Sequence, residues 1–159
     1  MKNRNLLEDN NWATPLWFYD KLNEEFDFNF DPCPYTTKPI TEENDGLLIE
    51  WGERNYCNPP YSLSTKTAFV NKALIEAQKG KLCVLLLPVA TSTKLFWETI
   101  VPNAKEIRLV KGRIKFEKID EHGNRTIPKN GGQHDSMIVV FDGRKADVLF
   151  HPSKVTLAK

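Results

Sequence analysis

At 159 residues, with 40% hydrophobic and 27% charged side chains and a formal net charge of +1, the chain has the length of one domain and the composition of an ordinary soluble globular protein. A charge so near zero excludes a protein that coats nucleic acid by charge alone, and no apolar run approaches the roughly 20 residues of a membrane span. Cys33, Cys57 and Cys83 are widely spaced, odd in number and form no Cys-x-x-Cys pair, which argues against a disulfide framework or a zinc site. With no signal-like apolar stretch after Met1-Lys2-Asn3-Arg4-Asn5, the cytoplasm is the expected compartment, and residues 1–159 are expected to form a single domain.

Pro15 to Phe26 carries Leu16, Phe18, Tyr19, Leu22 and Phe26 at a broadly helical period, with Thr14 placed to cap and Pro15 in the first turn. Thr14-Pro15 is either that cap alone or an anion site, because a hydroxyl and free N–H groups meet at a helix N-terminus. Trp12 is either a hydrophobic staple or a pocket wall. Phe28-Asn29-Phe30-Asp31 alternates and reads as a short strand that delivers Asp31, just before Pro32, to the edge where open α/β sheets bind ligands. There Asp31 accepts from a ligand or caps the following turn. Residues 36–44 read as a solvated loop, and Asp45-Gly46 as a turn into the apolar run Leu47-Leu48-Ile49.

Asn55-Tyr56-Cys57 leads into Asn58-Pro59-Pro60-Tyr61. Two prolines lack N–H groups and cannot continue a ladder, so the chain leaves the sheet there with fixed φ angles and outward carbonyls. An exocyclic amine on an aromatic ring is a poor nucleophile, because its lone pair is delocalised. The Asn58 side-chain carbonyl and the Pro59 backbone carbonyl can accept its two N–H bonds and favour a pyramidal nitrogen, while Tyr61 offers a flat apolar face to the ring. Both bonds strengthen as positive charge develops on nitrogen, so they favour the transition state. The plain alternative is a proline turn with Tyr61 as packing, although these four letters arise by chance in about one chain of this size in a thousand, or fewer.

Ser64 to Lys79 is an amphipathic helix stopped by Gly80, and Leu82 to Pro88 is an unbroken apolar run of strand length. Strand, helix and strand in this order predict a parallel crossover with both sheet faces covered. Thr91-Ser92-Thr93 caps a helix from Lys94 to Ile100 or, as the lesser reading, contacts an anion. Ala104 to Lys118 reads as two strands broken at Gly112. Period two puts Arg113 and Lys115 on one face, along a DNA backbone or in solvent, and Ile114 with Phe116 on the other, where Phe116 packs in the core or stacks on an extruded base. Residues 120–135, with Arg125, Lys129 and Gly131-Gly132, read as a long mobile hairpin loop. Ser136 to Phe141 returns as a strand, Val148-Leu149-Phe150 forms a last short one before a polar tail, and His122, His134 and His151 share no metal-like spacing.

Asn-Pro-Pro-Tyr is the motif of S-adenosylmethionine-dependent amino-methyltransferases. Trp12-Ala13-Thr14-Pro15, Phe30-Asp31-Pro32-Cys33, Asp45-Gly46-Leu47 through Trp51, Asn58 to Tyr61, Leu87-Pro88 with Thr91-Ser92-Thr93, and Lys111 to Phe116, in that order, are similar to the small phage-type DNA N6-adenine methyltransferases. The resemblance implies a compact, mostly parallel Rossmann-like α/β sheet ending in a C-terminal antiparallel hairpin, with helices on both faces and no separate target-recognition domain. It implies methyl transfer from S-adenosylmethionine to adenine N6 in DNA, with Asn58, Pro59, Pro60 and Tyr61 catalytic and no metal. Trp12, Thr14, Pro15, Asp31, Pro32, Asp45 and Leu47, with Asn58, are the implied cofactor residues, Thr14-Pro15 for the carboxylate, Asp31 for the amino group and Asp45 for the cofactor's adenine. Ser92, Arg113, Lys115, Phe116, Arg125 and Lys129 are the expected DNA contacts, the long loop the main candidate for sequence readout, and the enzyme a monomer or weak dimer. One departure is plain: Cys33-Pro34-Tyr35-Thr36-Thr37 stands where many methyltransferases carry a Gly-rich loop. RNA bases, a protein glutamine nitrogen, or noncatalytic nucleic-acid binding by the same fold remain the alternatives.

Overall fold

A computed structural model describes residues 12–129, 132–144 and 154–158, the last group by backbone alone. In chain order the elements are α1 (Leu16–Phe26), β1 (Arg54–Cys57), α2 (Leu63–Gln78), β2 (Leu82–Pro88), a π-helical turn (Leu95–Ile100) running into α3 (Val101–Asn103), β3 (Glu106–Val110), β4 (Lys118–Ile119), β5 (Arg125–Thr126), β6 (Ser136–Asp142) and β7 (Lys154–Ala158). The main sheet has the order β1-β2-β6-β3-β7, and β4 pairs with β5 in a separate hairpin.

The apolar run of β2 decides where the core lies. All seven of its residues are buried, and period two sends alternate side chains to opposite faces. Cys83, Leu85 and Leu87 meet Phe69, Val70, Ala73 and Ala77 of α2. Leu82, Val84 and Leu86 meet Phe18 and Leu22 of α1, with Ile114 and Phe116. Each such large side chain, fully buried, contributes about 1.5–3 kcal/mol. Both faces are therefore covered by helix, as the unbroken run predicts. Gly80, at φ 96°, ends the α2 segment in the left-handed region that a residue with a Cβ resists.

The molecule is a mixed α/β protein, but the pairing departs from the mostly parallel sheet expected. β1 pairs parallel with β2, and β3 with β7, whereas β6 runs antiparallel to both β2 and β3. The reason is the connection. No crossover helix carries the chain from β3 back across the sheet, so a strand entered from the edge just left must run the other way. The antiparallel β3–β6 pair also lies inside the sheet rather than closing it, because β7 takes the outer side of β3. The described residues 111–129 and 132–135, including the β4–β5 hairpin, consequently stay at the edge where β1 and β2 end.

Other expectations also shift. Residues 28–31 form no full strand; Phe30 alone bridges to Asn55, in parallel. Extended residues 113–116 precede the two-residue β4, with Ile114 and Phe116 buried and Arg113 and Lys115 exposed, in the alternation expected. The predicted strand at Val148-Leu149-Phe150, His151 and Gly131 lie outside the described residues. The tail read as polar contains β7.

One polar cluster is buried. The Glu76 carboxylate, with no exposed side-chain surface, accepts from Lys81 at 2.6 Å and Lys72 at 2.9 Å. Lys81 Nζ also donates to Glu50 at 2.6 Å and to the Trp51 carbonyl at 2.7 Å, tying the end of α2 to the loop before β1.

Candidate active site

Asn58 follows the last residue of β1, and what holds its amide comes from far away in sequence. Ala13 pairs with Glu117 through two backbone hydrogen bonds, Ala13 N–H to the Glu117 carbonyl at 2.8 Å and Glu117 N–H to the Ala13 carbonyl at 3.0 Å. That bridge lays residues 12–14 across the end of β1. Asn58 Nδ2 then donates to the Trp12 carbonyl at 3.0 Å and to Thr14 Oγ1 at 3.3 Å. A backbone carbonyl only accepts, so the nitrogen side of the amide must face Trp12. Asn58 Oδ1 faces the other way, with no hydrogen bond among the described residues. The Pro59 carbonyl likewise has none. The two acceptors expected for an amine are present.

Beside Asn58 lies a cavity of about 250 Å³ lined by Trp12, Ala13, Thr14, Leu16, Tyr19, Asp31, Cys33, Tyr35, Tyr56, Asn58, Ile119 and Arg125. Trp12 is a wall as well as packing; Lys118 Nζ sits 4.2 Å from its ring centroid. Thr14 does not cap α1. The N-cap is Pro15, whose carbonyl accepts from the Phe18 and Tyr19 N–H groups, and the Thr14 hydroxyl instead meets the Tyr56 hydroxyl at 2.5 Å. Tertiary partners outcompete the local cap because Tyr56, near the end of β1, and Asn58, just past it, both reach Thr14 Oγ1.

Asp31 arrives by the Phe30–Asn55 bridge. One of its oxygens accepts the Cys33 N–H at 2.8 Å, which is the turn-capping reading, yet the side chain also lines the cavity. Lost hydration pushes its carboxyl up to about 7, and the Cys33 bond offsets this only in part. No cation among the described residues is paired with it. A carboxylate left in this state by the fold is suited to a cationic ligand, and Tyr19, whose hydroxyl is also raised by burial and by Asp31, stands in the same wall.

The cavity does not include every expected residue. Pro15, Pro32, Asp45 and Leu47 are not in its lining. Asp45 is a turn residue, accepting the Leu47 N–H at 2.9 Å through its side chain and the Leu48 and Ile49 N–H groups through its carbonyl. Leu47 packs on the core. Gly46 is required by packing, since a Cβ there would lie 1.9 Å from the Pro32 carbonyl oxygen.

Tyr61 is turned inward. Its hydroxyl donates to the Leu86 carbonyl at 3.3 Å, and its ring meets Phe116 and His134 edge-on at centroid distances of 6.0 and 6.1 Å. Burial raises its phenol far above the usual value, so it is not a base. Phe116 is a core residue, 6% exposed. Arg113 pairs with Asp135 at 3.3 Å, and Ser92, Lys115 and Lys129 are exposed. Thr93, rather than Ser92, caps the turn that follows, accepting the Phe96 N–H at 3.2 Å.

Arg125 is the clearest relocation. Expected in a mobile readout loop, it lies on β5 in the cavity wall, with Nη1 at 3.3 Å from both the Thr14 carbonyl and Glu117 Oε2. The hairpin register that puts it there cannot be read from a stretch rich in Gly, Asn and charge. Tyr56 was overlooked for a different reason: the alternation Tyr56, Asn58 was legible, but nothing local announced a partner 42 positions earlier.

Among the described residues no group of three His, Cys, Asp or Glu side chains is arranged to hold a metal, and no helix is long and apolar enough to cross a membrane. No solved structure matches the chain. The sequence is similar to a DNA N-6-adenine-methyltransferase of Haemophilus phage HP1 (strain HP1c1), 37% identical over 142 residues that span 82% of this chain and 78% of that protein. A family model described as DNA N-6-adenine-methyltransferase (Dam) matches residues 3–157. The chain therefore belongs to the DNA N-6-adenine-methyltransferase (Dam) family of enzymes.

Proposed function

We propose that this protein methylates adenine N6 in DNA with S-adenosylmethionine bound in the cavity beside Asn58, and that Asn58 holds the accepting amine. The observation that carries this reading is the Asn58 amide, pinned through its nitrogen to Trp12 and Thr14 with its carbonyl oxygen left to accept. S-adenosylmethionine, when bound, supplies an activated methyl group on a sulfonium. The protein's part is positioning: Asn58 Oδ1 and the Pro59 carbonyl accept the two amine N–H bonds and aim the nitrogen in line. Adenine cannot reach them while stacked in a duplex and must be extruded. Tyr61, immobilised through Leu86 and braced by Phe116, forms one side of the base site. Four of the five main strands running one way, with helices on both faces, support a Rossmann-like methyltransferase sheet in one catalytic domain.

The cavity suits the methionine end of the cofactor. It offers a carboxyl at Asp31, with no cationic partner among the described residues, for an ammonium, and the Thr14 hydroxyl with Arg125 for a carboxylate. Lys115, and Arg113 by exchanging its exposed Asp135 partner, are the candidates for DNA phosphates, with Ser92 and Lys129 as further exposed candidates. Transfer of labelled methyl groups to DNA, RNA and protein in parallel tests the reaction; label in DNA at adenine N6 is expected, and label only in RNA or protein would overturn the substrate assignment.

Two predictions follow from the cavity. Because the Asp31 carboxyl sits at about 7 without ligand and the ionised form binds an ammonium, cofactor affinity should rise between pH 5.5 and 7, by up to about tenfold per unit, then level. Asp31→Asn should weaken binding and flatten that profile in calorimetric titrations; an unchanged slope would remove Asp31 from the site. Arg125→Gln should weaken cofactor binding about tenfold, the effect of one charge-assisted bond. Its affinity for DNA and the dependence of that affinity on salt should stay as in the wild type, whereas a reduced salt slope would return Arg125 to the DNA interface.

A further inference from the structure

The chain of groups behind Asn58 can be resolved proton by proton. The Tyr56 ring is 2% exposed, among apolar neighbours that include Phe28, Val84 and Leu86. Thr14 Oγ1, at 2.5 Å, is the one hydrogen-bond partner of its hydroxyl among the described residues. Were Thr14 the donor in this pair, the phenolic proton would be buried without an acceptor, at a cost of about 1–3 kcal/mol. Tyr56 therefore donates. A hydroxyl oxygen has two lone pairs. At Thr14 one takes the Tyr56 proton and the other takes a proton from Asn58 Nδ2, at 3.3 Å. With both filled, the remaining capacity of Thr14 is its own proton, and Thr14 lines the cavity. Asn58 is determined in the same way. Its two amide protons go to Thr14 and to the Trp12 carbonyl, so Oδ1 alone is left for a ligand.

We infer that Tyr56 is a positioning residue that sets the direction of this whole chain, making Thr14 a donor toward the cofactor cavity and Asn58 an acceptor toward the target amine. It rests on the proposed reaction for the identity of the two ligands. Although Tyr56 borders the cavity, its hydroxyl is taken up by Thr14 and acts through it. Removing the phenolic proton returns a lone pair to Thr14, whose hydroxyl can then face the cavity as an acceptor and repel an anion there. The fixed polarity would couple the two halves of the site, since the oxygen that greets the cofactor also holds the amide that greets the amine.

The test compares the wild type with Tyr56→Phe, Thr14→Val and the double variant. In ligand-free protein labelled with nitrogen-15, the Asn58 side-chain amide resonances, assigned by their loss in Asn58→Ala, should move in Tyr56→Phe. Cofactor affinity and the transfer rate at saturating cofactor should each fall about tenfold, as for one oriented hydrogen bond. The double variant should be no worse than Thr14→Val alone, because Tyr56 acts only through Thr14. Unmoved resonances, or losses that multiply in the double variant, would overturn the inference. The wild type provides a check that needs no variant to fold: the Tyr56 hydroxyl proton should exchange slowly and show a cross-peak to the Thr14 side chain, and fast exchange would also overturn the inference. These spectra need no cofactor or DNA, so a wild type inactive on DNA would count against the proposed reaction alone.

Discussion

Asn58→Ala should lower single-turnover methyl transfer to DNA by on the order of 10³-fold, the scale on which one preorganised transition-state partner acts. The substitution removes the side-chain carbonyl that accepts from the amine and also the amide nitrogen that holds Trp12 and Thr14. Those two effects separate experimentally. The lost bonds cost about 1 kcal/mol each in stability, so the melting temperature should fall by only a few degrees. Cofactor affinity should fall by no more than about tenfold, as in Tyr56→Phe, because losing the Nδ2 donor also returns a lone pair to Thr14. A variant that binds cofactor, remains folded and still transfers at more than a tenth of the wild-type rate would take Asn58 out of the mechanism. Loss of cofactor binding in step with activity would make Asn58 a structural prop of the cavity instead.

Lys81→Met should destabilise the fold by about 1.5–3 kcal/mol, because the buried Glu76 carboxylate loses its 2.6 Å partner and keeps only Lys72 and Lys79. For a chain of this size that corresponds to a fall of roughly 3–12 °C in melting temperature. The companion Lys81→Met with Glu76→Leu should recover much of the loss, since no carboxylate is then left buried with a depleted set of partners. A double variant as unstable as the single would mean that the ion pairs themselves, rather than the under-compensated carboxylate, govern the effect. Burial raises the Glu76 carboxyl, but the bonds from Lys81, Lys72 and Lys79 outweigh it and hold the group below its ordinary value. A depressed folded value means stability that is complete above the unfolded value of 4.5 and is lost as pH falls below it, so the wild type should weaken in acid more steeply than the double variant.

The main elements were legible because their signals are local. The seven-residue apolar run of β2 admits only a strand buried on both faces, α2 has an apolar period and a glycine stop, and the alternation of Ile114 and Phe116 against Arg113 and Lys115 gave the correct burial. Weaker signals failed in instructive ways. Residues 28–31 have a strand's alternation, but the bridge is confined to Phe30. β7 hides in a polar tail, since an edge strand needs only a neighbour's free ladder and little hydrophobicity of its own.

The order of β6 in the sheet was not readable. It depends on which edge the chain occupies after β3, a property of the assembled sheet. The candidate site divides along the same line. Asn58-Pro59-Pro60-Tyr61 reads as an acceptor site or as a plain proline turn, because two prolines fix φ and leave carbonyls without ladder partners.

What that motif faces was decided only in three dimensions. The backbone bridge between Ala13 and Glu117 brings Trp12 and Thr14 over the end of β1, and with them the acceptors that turn the Asn58 amide. It also brings the β4–β5 hairpin, and Arg125, onto the cavity rather than out toward solvent. A single residue's chemistry is written in its type. The direction of an amide or a hydroxyl depends on proton bookkeeping among partners 42 to 46 positions apart, which no local pattern encodes.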